Sequence, residues 1–147
     1  MGYALEVKTH YSVAEYLEHE ELSAVRSEYF RGELFAMAGT SDAHNEIAGN
    51  VYALFKTRKG GDACKAYIEN IKVELLPGVY YVYPDVVLTC DARDREDRYV
   101  KRYPKVLVEV LSPGTEAYDR RHKLPRYLAL PSLEALLLVS QSEVHAE

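Results

Sequence analysis

The sequence predicts a mixed α/β (α+β) fold, a mixed β-sheet flanked by helices, built as a single domain over residues 1–147. Three observations carry that expectation. The length of 147 residues falls inside the ~100–200 typical of one domain. A hydrophobic share of 48% and a charged share of 28% are those of an ordinary globular chain, which excludes a disordered segment, a collagen-like fibre and a bare coiled coil. Helical and strand-like apolar patterns then follow one another in the order helix, hairpin, helix, strands, helix, strand.

Ser12 followed by Glu15 is a capping-box pattern, and Val13, Tyr16 and Leu17 recur behind it at helical spacing, so a short helix starts there and ends near Glu20. In Ser27–Met37, two short apolar and aromatic runs flank Arg31-Gly32, a hairpin signal. Ser41 or Asp42 can cap a long helix with Ile47, Val51, Leu54 and Phe55 on one face, Lys56, Arg58 and Lys59 at its end and Gly60-Gly61 beyond. Cys64–Glu69, Ile71–Leu76 and Val79–Cys90 read as a meander of three strands, the last two joined by Pro77-Gly78. Residues 91–103 hold nine charged side chains in thirteen positions and read as a solvated loop. Lys105–Leu111 is a strand with Val106, Val108 and Val110 on one face and Leu107, Glu109 and Leu111 on the other. A helix over about 116–130 is interrupted by Pro125, which must kink or restart it, and Glu134–Ser140 is a last strand.

Several function classes drop out on composition. No apolar run approaches the ~18 residues of a membrane span, and the N-terminus has neither a basic start nor a continuous apolar stretch. The cytoplasm is the expected location, with no membrane partner. A net charge of −5 argues against nucleic-acid binding through bulk electrostatics, although residues 92–126 carry ten basic against six acidic side chains. Cys64 and Cys90 lie in no metal-ligand spacing and are expected as buried free thiols.

Two carboxylates stand where core strands want valine: Asp85 within YYVYPDVVLTC and Glu109 within VLVEVL. A lone buried carboxylate is costly unless it is paired or holds a metal. If the two strands are neighbours, the pair can meet in one cleft and raise each other's pKa until a divalent cation binds. Otherwise each sits at a strand end facing water, or pairs with a nearby arginine.

Tyr83-Pro84-Asp85-Val86-Val87, followed by Val108-Glu109-Val110-Leu111-Ser112-Pro113 and then Thr115, Asp119 and Lys123, resembles the Uma2 family of bacterial endonucleases within the PD-(D/E)XK, restriction-endonuclease-like superfamily. Glu28-Tyr29, Gly32-Glu33, His44-Asn45 and Ser132-Leu133 belong to the same resemblance, which runs from about Tyr11 to Gln141. It implies a restriction-endonuclease-like fold and a metal-dependent endonuclease acting on nucleic acid, DNA above all. Asp85, Glu109 and the carbonyl of Val110 would then hold Mg2+ or Mn2+. The superfamily's lysine, two residues after the second carboxylate, is replaced here by Leu111; the resembled family puts a lysine in the next helix, which is Lys123. Glu28 and His44 are possible additional site residues, although an exposed or Arg31-paired Glu28 and a solvent-facing His44 are the plainer readings. Arg120 and Arg121, with Arg126 and the 91–103 loop, would track phosphates. The family usually continues beyond the last strand whereas this chain stops at Glu147, so either it is a short member or its sheet edge is open, which would invite the expected homodimer. The competing reading is a catalytically inactive nuclease-fold module for oligomerisation or nucleic-acid binding.

Overall fold

A computed structural model describes residues 8–58 and 61–147. Helix α1, Val13–Leu22, begins at the full capping box of Ser12 and Glu15. The hairpin of β1, Ser27–Phe30, and β2, Glu33–Ala36, turns at Arg31-Gly32, where both residues have positive φ. Helix α2 spans Asp42–Arg58, its start capped by the Ser41 hydroxyl, which accepts from the His44 N–H at 3.1 Å. Lys59 and Gly60 lie outside the described residues. Strands β3, Lys65–Ile68, and β4, Lys72–Leu76, follow.

The expected long strand after the Pro77-Gly78 turn is two strands, β5, Tyr80–Val82, and β6, Val86–Thr89. They belong to different sheets, so the three segments are not a meander. Pro84 has no N–H to give to a ladder, and at Tyr83-Pro84-Asp85 the chain leaves one sheet for the other. After β7, Val100–Lys101, β8, Pro104–Leu111, and β9, Ala135–Ser140, the orders are β2-β1-β5-β4-β7 and β3-β6-β8-β9. Each sheet is antiparallel except for its last pair, β4 with β7 and β8 with β9, which makes both mixed.

The two sheets share a core of Val73, Tyr80 and Val82 from the first, Val87 and Leu107 from the second, and Tyr127 and Leu130 from the helical segment between β8 and β9. On the far side of the first sheet Tyr16 of α1 stacks on Tyr29 at 4.9 Å and donates its hydroxyl to the Ser27 carbonyl at 2.7 Å. Helix α2 covers the other face of the second sheet, packing on β3, β6 and β8. Its covered face is centred on His44 and Ala48, and Leu54, expected on that face, is 51% exposed. The i, i+4 pattern of apolar side chains ran on past the point where the sheet ends.

The 91–103 segment is not the solvated loop its charge suggests. It contains a 3-10 turn, Ala92–Arg95, and β7, and it buries Asp94, Val100 and Lys101. Pro125 does not break the following helix either. Glu116–Tyr118 (α3) passes through a π-helical turn, Asp119–Lys123, into α4, Leu124–Leu128. In a regular helix the proline ring would meet the carbonyl four residues back; the wider turn, closed by Leu124 N–H on Asp119 O, accommodates it.

The outer edge of β9 is partly paired. Val139 bridges Ala146, and Leu138 and Glu147 exchange backbone hydrogen bonds of 2.9 Å.

Cys64 and Cys90 form a disulfide, which corrects the expectation of free thiols. The register of β3 on β6 pairs Lys65 with Thr89 and so sets Cys64 opposite Cys90, a juxtaposition invisible in sequence once β5 and β6 are read as one strand. The bridge closes 26 residues of chain, and for a loop of that size reduction should cost about 3 kcal/mol. Urea unfolding with and without a reductant should show that loss, and coincident curves would refute it.

Candidate active site

Asp85 stands just before β6 and Glu109 inside β8. The antiparallel register Val87 to Leu107, Val86 to Val108 continues to Asp85 opposite Glu109, so the two carboxylates project from one face of the sheet. Glu109 is 5% exposed and Asp85 little more. Each is held by a donor. The Val110 N–H donates to Asp85 Oδ2 at 2.7 Å, and the Tyr127 hydroxyl donates to Glu109 Oε1. His44, at the start of α2, brings Nε2 to 3.3 Å from Asp85 Oδ2.

The π-helical turn delivers Lys123 to the same place. Its ammonium is buried, 2.8 Å from Glu28 Oε1 on β1 and 3.5 Å from Asp119 Oδ1 one turn back. Glu28 is therefore a half-buried partner of Lys123, neither exposed nor paired with Arg31, and its buried Oε2 has no hydrogen-bond partner among the described residues. His44 likewise faces the site and not solvent. A cavity of about 10 Å3, bordered by Glu109, Asp119, Lys123 and Tyr127, has room for one water.

Four carboxylates thus surround one ammonium and one imidazole. Burial pushes Glu109 well above its usual range, and the Asp85 charge adds to this against the opposing pull of Lys123 and the Tyr127 hydrogen bond. Burial also raises Glu28 and Asp119. It pushes Lys123 down, but Glu109, Glu28 and Asp119 outweigh it and hold the amine protonated. The hydrogen bond to Asp85 raises His44 against its own burial. Raised folded-state pKa values mean that the folded chain holds protons the unfolded chain has released, so stability falls as pH climbs from the unfolded value through the folded one. The cation-free protein should therefore have a lower urea midpoint at about pH 8 than at about pH 5, with millimolar Mg2+ restoring part of the difference. A midpoint that rises over that interval would contradict this arrangement.

Arg120 borders the small cavity together with Glu109, Asp119 and Lys123, but its guanidinium is tied to Glu116 at 2.9 Å and Glu147 at 2.8 Å; Arg121 is exposed. Arg126 lies over the rings of Phe30 and Tyr80, each about 5 Å away. Leu111, in the position of the superfamily lysine, is buried. Asp119 entered the sequence reading only as part of the family resemblance, without a role, and Tyr127 not at all. The two fall with Lys123 at intervals of four, a one-face signal that Pro125 obscured.

Two mixed sheets wrapped by helices, with an acidic pair where one sheet hands over to the other, define a nuclease-type fold. A crystal structure from Anabaena variabilis, described as a "putative nuclease belonging to DUF820", shares that fold with a TM-score of 0.67 at 16% identity, over 88% of this chain and 74% of that one. The chain belongs to the Uma2 family, described as "Putative restriction endonuclease", whose pattern matches residues 13–146. Two uncharacterized Synechocystis sp. proteins are similar to it. The protein slr1290 is 40% identical over 92% of this chain and 72% of its own length, and sll1609 is 28% identical over 88% and 75%.

Proposed function

We propose that this chain is a Mg2+- or Mn2+-dependent endonuclease that hydrolyses phosphodiester bonds in DNA, with Asp85, Glu109 and Lys123 as its catalytic centre. The observation that carries the proposal is the facing pair Asp85 and Glu109 with a buried lysine among the surrounding carboxylates. Membership of a family described as "Putative restriction endonuclease" supports it.

The donor set fits a hard divalent cation. Asp85 and Glu109 supply carboxylate oxygens, the Val110 carbonyl is a further donor, and Glu28 Oε2 is a buried oxygen without a partner. Among the described residues no three histidine, cysteine or acidic side chains form a ready cage; the proposal rests on the Asp85 and Glu109 pair, since Mg2+ is bound through one or two carboxylates with waters completing its shell. Bound there, the cation would lower the pKa of a water and offset negative charge growing on the scissile phosphate.

The protein's own groups do the positioning. The Val110 N–H and the Tyr127 hydroxyl fix one oxygen of each acidic partner, leaving the other free to face outward ligands. Lys123 holds its proton at Nζ beside the water-sized cavity, where an ammonium can orient an attacking water and favour charge developing on it. His44 keeps a proton at Nε2 against Asp85. We extend the proposal to a homodimer. With the β9 edge partly paired, the other outer strands, β2, β7 and β3, are where a second copy could add, which gel filtration tests.

The direct assay is incubation of supercoiled plasmid with purified protein. Cleavage with Mg2+ or Mn2+ and none in EDTA is expected. Failure to cleave either DNA or RNA, together with no cation binding, would favour the inactive nuclease-fold module.

A further inference from the structure

The charged segment after β6 builds something the nuclease centre does not use. Two buried charges hold its backbone. The Asp94 carboxylate accepts from the Thr89 hydroxyl at 2.5 Å and from the N–H groups of Arg102 and Tyr103 at 2.7 and 3.1 Å. The Lys101 ammonium donates to the carbonyls of Asp94 and Asp97 at 2.6 Å each, and the Asp97 carboxylate accepts from the N–H groups of Tyr99 and Val100. A solvated connection needs no buried charges, which are costly unless fully bonded. A loop that must present side chains in fixed positions does need such a frame.

What the frame presents is a groove of about 560 Å3, within the range of ligand sites. Arg93, Arg98 and Arg102 line it with Tyr99 and Tyr103. The Arg93 guanidinium stacks 3.5 Å above the centre of the Tyr103 ring and is held there by Asp91 at 2.7 Å, leaving its outer face open. Tyr99 is 56% exposed, and the buried ammonium of Lys72 lies 5.9 Å from its ring, so the ring is backed on the protein side and open on the other. Arg98 has no ion-pair partner among the described residues, whereas Arg102 is tied to Asp97 and Glu74. Glu96 and Asp97 also border the groove and keep its net charge small.

We infer that this groove binds unpaired nucleotides of a single-stranded nucleic acid, with bases stacked on Tyr99 and on the Arg93–Tyr103 pair and a phosphate at Arg98. Duplex DNA offers its phosphates while its base faces are stacked away, and a nearly neutral groove on a chain of net charge −5 has little to give it. Exposed aromatic rings with flanking arginine suit unpaired bases of any sequence. The frame's Asp94 is bonded to Thr89, which lies four residues along β6 from Asp85, roughly 13 Å of chain at strand rise. The inference deepens the nuclease reading and rests on it for the substrate that reaches the acidic centre, while binding in the groove is measurable without cleavage.

The test is fluorescence polarisation of a labelled oligothymidylate and of a duplex of equal length, in EDTA, with wild type, Tyr99→Ala, Tyr99→Phe and Arg98→Ala, each variant checked for folding by circular dichroism. Wild type should prefer the single strand. Tyr99→Ala should weaken that binding about tenfold and Tyr99→Phe should not; Arg98→Ala should weaken it and reduce its salt dependence. Equal affinity of wild type, Tyr99→Ala and Arg98→Ala for the single strand would overturn the groove, as would a preference for duplex. So would binding of polyglutamate lost in these variants while oligothymidylate binding stayed intact, which would make the partner an acidic protein segment. Groove-dependent strand binding in a protein that cleaves nothing with Mg2+ or Mn2+ would sink the nuclease reading and leave the groove standing.

Discussion

Asp85→Asn is expected to abolish cation-dependent cleavage of plasmid DNA, with a loss on the order of 10^3-fold or more, because a divalent cation supplies several kcal/mol of charge stabilisation to phosphoryl chemistry. The substitution keeps the side chain's shape and one carbonyl oxygen to accept from the Val110 N–H, so the fold should persist. Stability should hold or rise. The carboxylate removed faces Glu109 across the β6–β8 pair, and like charges in one site destabilise the cation-free protein. Calorimetric titration should show weaker Mn2+ binding in the variant, and its urea midpoint should be no lower than that of wild type. Unchanged cleavage would mean that the centre lies elsewhere.

Lys123→Ala should slow cleavage by about 10^2- to 10^3-fold, the range seen when one preorganised charge-stabilising group is removed, while leaving cation affinity similar or slightly higher. It should also cost stability, unlike Asp85→Asn. The ammonium is the cationic partner of Glu28 and Asp119, and removing one side of a buried ion pair typically costs roughly 3–5 kcal/mol. Because the stranded carboxylates can take up protons, the loss should be larger at about pH 8 than at about pH 5. Lys123→Met, which keeps most of the volume, separates charge from packing: it should match Lys123→Ala in rate and lose less stability. Full activity in Lys123→Met would remove the lysine from the mechanism.

Much of this centre was legible because ionisable residues inside valine-rich strands conflict with their surroundings. Asp85 and Glu109 announced themselves in that way, and the β8 alternation set Glu109 on the face of Leu107, which is the face that meets the core between the sheets. The resemblance pointed to Lys123, but its burial depends on the π-helical turn, and no local pattern distinguishes such a turn from a kink at Pro125. Glu28 and His44 were ambiguous for another reason. A glutamate in a hairpin and a histidine at a helix start face water by default, and only the approach of β1 and α2 to the end of the second sheet buries them. The 91–103 segment misled through composition: nine charges suggest solvent, yet Asp94 and Lys101 are bonded inside. The division of Val79–Cys90 between two sheets was hidden because apolar and aromatic residues run on both sides of Pro84-Asp85 and read as one strand, and the disulfide was hidden with it.

The central claim is that Asp85 and Glu109 together hold the cation of a phosphodiesterase. Crystals soaked in Mn2+ and measured for anomalous scattering test it most directly. A single strong anomalous peak in contact with carboxylate oxygens of both Asp85 and Glu109 is the expected result. A soaked crystal with no peak at that pair, Lys123 still bound to Glu28 and manganese found only elsewhere, would contradict it.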